Sequence, residues 1–98
     1  GGETPREAEE KYVDGVARKL RSLLAAAKRN GTPGWPAMAE LLLGLADADK
    51  TALSALAQHA RLCRNLSRAV DLYTRLVQLH PLKESYRAAL DNALQASK

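Results

Sequence analysis

The chain has no phenylalanine, and only one cysteine, one methionine and one tryptophan among its 98 residues. The lone thiol, Cys63, excludes an intramolecular disulfide and any zinc site built from several cysteines, which fits a reducing compartment. His59 and His80 have no partners at ligand spacing, so neither a metal nor another cofactor is expected. No apolar run approaches the ~20 residues needed to cross a bilayer. The first residues also lack the positive, apolar and small-residue pattern of a secretory signal. The expectation is a soluble, intracellular protein, cytoplasmic or nuclear. Residues 1–4 read as a tail, with Gly1 and Gly2 as a cloning scar or the edge of an excised fragment.

Other absences narrow the chemistry. Serine, threonine and cysteine occur without a glycine elbow or a companion histidine motif, so no catalytic residue is assigned and the chain is expected not to be an enzyme. The acidic pairs Glu9-Glu10 and Asp47/Asp49 sit where helices begin, and read as helix-start electrostatics before they read as acid-base partners. Cys63 lies between Arg61 and Arg64, which favour a thiolate; the plainer expectation is a small buried residue at a helix end. Basic residues are not interleaved with aromatics, so no stacking platform for single-stranded nucleic acid is present.

What the chain does have is alanine and leucine. Apolar residues make up 46% and charged residues 27%, enough to build one core, and Leu and Ala favour helix over strand. Lys and Arg number 15 against 11 Asp and Glu, a net charge of +4, a mild bias towards acidic partners.

Helix signals recur along the chain. Thr4 caps a first helix with Pro5 at its first position and Glu7 completing a capping box. Tyr12, Val13, Val16, Leu20, Leu23, Leu24 and Ala27 form its apolar face, and Gly31 with Pro33 ends it. Five helices are expected over 5–29, 36–46, 50–63, 67–80 and 82–97. The second, with Met38, Leu41, Leu42, Leu43 and Leu45, is apolar on more than one face and expected to be covered on two sides. Asp47 and Asp49 offer caps for the third and Ser67 for the fourth; His80-Pro81 ends the fourth. Trp35 is expected in a Gly-Trp-Pro turn. Connections this short make neighbouring helices antiparallel.

A period of 33 residues then links alternate helices. It relates Leu20, Leu53 and Tyr86; Leu23, Leu56 and Ala89; Leu24, Ala57 and Leu90; and Ala27, Ala60 and Ala93. A fixed period is what stacked helical hairpins require, since each pair buries its face on the next. On these residues the chain resembles the tetratricopeptide-repeat family. Residues 50–83 look like one repeat: Leu53, Leu56, Ala57 and Ala60 match its first helix, Ala69, Tyr73 and Leu76 its second, and Pro81 its closing proline. Ala57 stands in place of the family's usual glycine and Ala60 in place of its usual large aromatic. Residues 17–46 look like a degenerate repeat, and residues 82–97 like the solvating helix that closes such arrays.

The resemblance implies an all-α, right-handed stack of antiparallel hairpins, one domain over residues 5–98, that binds a protein or peptide through a groove. The groove positions are Arg21, Ser54 and Arg87 on one ladder and Ala25, Gln58 and Asp91 on another, with Arg18, Lys28 and Arg61 on a basic edge. In chaperone-binding members, lysines and asparagines clamp a terminal carboxylate; Ser54 and Gln58 replace them here. Trp35 is weighed as a recognition residue against gap-filling between helices. Three other readings stand beside this one. They are a subunit stabilised by homodimerisation or a partner helix, a microtubule-interacting-and-transport-like module suggested by Ala69 to Tyr73, and a weak nucleic-acid binder.

Overall fold

The computed structural model describes residues 2–98; Gly1 lies outside the described residues. It contains five helices: α1 (Pro5–Arg29), α2 (Trp35–Leu45), α3 (Lys50–Leu62), α4 (Leu66–Leu79) and α5 (Glu84–Ala96). No strand occurs among the described residues. The spans read from the sequence differ from these by at most two residues at any end. No helix among the described residues is long and apolar enough to cross a membrane.

The helix ends follow from capping chemistry. Thr4 Oγ1 accepts a hydrogen bond from the Glu7 amide at 3.2 Å, satisfying one of the amides a helix start leaves open. Asp49 does the same for α3, its carboxylate accepting from the Ala52 amide at 3.0 Å. At the start of α4 the cap is Asn65, which accepts from the Arg68 amide at 3.4 Å, and Ser67, expected there, lies inside the helix. The shift has a local cause. The Asn65 amide also donates to Ala60 O at 2.8 Å, closing α3, so the chain leaves one helix and enters the next at the same residue.

The closure of α3 repeats that of α1. Gly31 has φ 67° and Arg64 φ 64°, the left-handed conformation that ends helices in a Schellman turn. In α1 the following amide, Thr32, donates to Ala27 O at 2.9 Å, as Asn65 does to Ala60. Gly31 and Arg64 are 33 residues apart, as are Ala27 and Ala60, so the period extends from the helices into the turn. Glycine takes this conformation freely, whereas at Arg64 the side chain costs about 1 kcal/mol.

The chain divides into two compact units, residues 1–47 and 48–98. In the first, α1 and α2 pack together, with Ala17, Leu24, Ala27, Ala39 and Leu42 buried. Trp35 opens α2 and does not sit in a turn; its amide donates to Thr32 O at 3.2 Å, which winds the approach into the helix. The second helix is also less covered than its composition suggests, since Leu41 is 63% and Leu45 41% exposed. On α1, Tyr12 and Leu23 belong to the expected apolar face but remain exposed.

In the second unit, α4 packs against both α3 and α5. Leu53, Leu56, Ala57 and Ala60 on α3, Ala69, Leu72, Tyr73 and Leu76 on α4, and Tyr86, Leu90 and Ala93 on α5 are buried. Two of the periodic sets are buried at all three positions: Leu24, Ala57 and Leu90, and Ala27, Ala60 and Ala93.

Candidate partner-binding cleft

The second unit carries an open cleft of about 770 Å³. Gln58 and Arg61 reach it from α3, Tyr73 from α4, Ala89, Asn92 and Ala96 from α5, and Arg64 from the turn between α3 and α4. Three helices supply its walls, α4 packing against both α3 and α5. The lining combines two guanidinium groups, two amides and the Tyr73 phenol with apolar surface from Leu62, Leu66, Ala89 and Ala96, and no carboxylate is among the described residues that form it.

Arg61 lies close enough to the floor for its charge to act on the Tyr73 phenol, while Tyr73 itself is 4% exposed. Burial pushes the Tyr73 phenol above its ordinary value of 10.0, and the neighbouring Arg61 guanidinium pulls it partly back. The fold thus favours the neutral phenol over its anion. The resulting stability is fully present below the unfolded value and is lost as pH rises through the higher folded value. Titration of tyrosinate absorbance should show one phenol ionising late, above pH 10; Tyr73→Phe should remove that component, and Arg61→Ala should move it further up.

The other sequence-derived candidates lie elsewhere. Ser54 Oγ donates to the Tyr86 phenol at 3.3 Å, linking α3 to α5 away from the cleft lining. Arg87 and Asp91 pair with each other along α5 at 3.6 Å, both well exposed, an arrangement that contributes little to stability. Arg18, Arg21, Lys28 and Trp35 belong to the first unit, where the Lys28 ammonium stands 5.5 Å from the Trp35 ring centroid. Lys83 stacks in the same way on Tyr86, at 4.9 Å.

No family model, no curated protein and no solved structure matches this chain. The cleft therefore has to be read from its own chemistry. Arg64 and Asn92 are polar lining residues outside the groove positions that the resemblance implies. Arg64 lies between the spans expected for α3 and α4, although its 33-residue equivalence to Gly31 marks it as the left-handed terminator of α3. Asn92 sits one residue beyond Asp91, off both ladders.

Cys63 is exposed, not buried as a helix-end residue of its size was expected to be. It occupies the cap position of α3, where the backbone turns away at Arg64. Its Sγ lies 3.6 Å from His59 Nε2. No group of three or more residues able to hold a metal ion occurs among the described residues.

Proposed function

We propose that this chain is a non-catalytic interaction module of the tetratricopeptide-repeat kind, a right-handed stack of hairpins that recognises an acidic segment of a partner protein. The observation that carries this reading is the cleft lined by Arg61 and Arg64, with no carboxylate among the described residues that line it. A guanidinium pairs with carboxylates through two parallel hydrogen bonds. Gln58 and Asn92 supply donors and acceptors for a partner's backbone, and Ala89 and Ala96 let that backbone approach closely. The repeated Schellman turns at Gly31 and Arg64, and the periodic buried sets, support the repeat reading.

The test is binding of a fluorescent glutamate-rich peptide, followed by anisotropy at low and moderate salt. Arg61→Glu with Arg64→Glu should weaken binding by about tenfold or more, the equivalent of one lost charge-assisted pair, with the helical spectrum unchanged. Arg87→Glu, outside the cleft, should leave binding unaltered. A double variant that matches wild type at low salt would retire the reading.

A further inference from the structure

The first unit holds a feature that the cleft does not use. Helix α1 has 25 residues and α2 has 11. At about 1.5 Å per residue these run to roughly 37 Å and 16 Å. A short turn joins them, so α2 can flank only the later part of α1. Burial agrees with this: Ala17, Leu24 and Ala27 are the buried residues of α1.

Along α1 the positions Pro5, Glu9, Tyr12, Val16, Lys19 and Leu23 are separated alternately by four and three residues. That alternation is the a/d seam by which one helix meets another in a coiled coil. None of the six is buried; Tyr12 is 72% and Leu23 47% exposed. A seam with two apolar residues at its centre, one more at each end and a charge between is left facing outward.

The pattern is complementary to itself in one direction. Turn a second copy end for end about a point between Tyr12 and Val16, and Tyr12 faces Val16 of the other copy, Glu9 faces Lys19, and Pro5 faces Leu23. By symmetry each contact occurs twice. Every apolar residue then meets an apolar one, every glutamate meets a lysine, and each layer joins an a to a d position. A parallel pairing fails on charge, because it sets Glu9 on Glu9 and Lys19 on Lys19, and like charges in contact oppose association. Slipping the antiparallel pair by one heptad fails as well, since it sets Glu9 on Tyr12 or Lys19 on Val16.

We propose that α1 is a self-association helix, through which two copies of this chain pair antiparallel over residues 5–23. The two-fold axis makes the contact isologous, so the assembly closes at a dimer. The Glu9 to Lys19 pair fixes direction and register, as single polar positions do in coiled coils, while Tyr12, Val16 and Leu23 supply the apolar contact.

Sedimentation velocity of the whole chain, from about 1 to about 100 micromolar, tests this over the range of ordinary association constants. Wild type should pass from monomer to dimer as concentration rises. Glu9→Lys alone and Lys19→Glu alone should each weaken dimerisation about tenfold or more, because each sets two like-charge pairs in the seam. The doubly exchanged Glu9→Lys/Lys19→Glu chain should recover the wild-type constant, and an equimolar mixture of the two single variants should form a mixed dimer. Circular dichroism of each variant reports that the helices remain. A wild type that stays monomeric throughout overturns the proposal. So does a dimer indifferent to both single variants, or one that responds instead to Leu82→Glu at the far end of the chain.

Discussion

Leu76→Ala is expected to lower the stability of the chain by about 2 to 5 kcal/mol, the range for deleting a large side chain from a core that relaxes incompletely. Leu76 has no exposed surface and lies on α4, the helix that packs against both α3 and α5. A void there removes contacts from the helix that packs on both of the unit's other helices. Since a small domain is stable by only about 5 to 15 kcal/mol, the loss should appear as a large fall in the midpoint of thermal or urea denaturation. Leu56→Ala should fall in the same range. Leu82→Ala provides the contrast: at 95% exposed it should move stability by no more than about 0.5 kcal/mol. A midpoint unmoved by Leu76→Ala would mean that the core of this unit has been misplaced.

Ala57→Leu should be destabilising by about 1 to 3 kcal/mol through the opposite fault, excess volume. Ala57 is fully enclosed on α3, and its neighbours Leu53, Leu56 and Ala60 are buried too. A leucine at that position has no solvent-facing rotamer, so either the helices separate or surrounding side chains leave their preferred rotamers. Helix propensity works weakly the same way, since Ala is the better helix former. Denaturation of Ala57→Leu beside Ala57→Gly separates the two causes. The glycine variant should lose about 1 kcal/mol from propensity, and a leucine variant as stable as wild type would show that the site holds unfilled space.

The helices and their number were legible because each start and stop carries local chemistry: Thr4 with Pro5, Gly31 before Pro33, Asp49, and His80 before Pro81. The phase of α4 was not, because Asn65 and Ser67 are comparable caps; the choice was made by the amide of Asn65 closing the helix before it. Periodicity placed Tyr12 and Leu23 on the apolar face of α1, but it gives the direction of a face and not the length of what lies opposite. Pro33 and Trp35-Pro36 restart the chain as an 11-residue helix, too short to reach Tyr12, while Leu23 lies level with the buried Ala17, Leu24 and Ala27 but on another side of α1. Of the residues lining the candidate cleft, Gln58 and Arg61 are among the groove positions that the family resemblance implies. The convergence of Arg61 and Tyr73 on one cleft brings two helices together and has no local sequence signal, and Arg64 occupies a backbone conformation for which glycine or asparagine would have been expected.

Half of the buried apolar residues are alanines, among them Ala39, Ala52, Ala57, Ala60, Ala69 and Ala93. This shapes how the gene can change. A single-base substitution in an alanine codon produces valine, glycine, serine, threonine, proline, aspartate or glutamate, and never leucine, methionine or another large unbranched apolar residue. In an enclosed helical position each of these carries a penalty: branching and added bulk for valine and threonine, backbone freedom for glycine, a broken ladder for proline, an unpartnered polar group or charge for the rest. Drift at these positions is therefore confined, and the enclosed faces of α3 and α4 should diverge more slowly among descendants of this gene than the leucine positions, where exchange with methionine or isoleucine is a tolerated step.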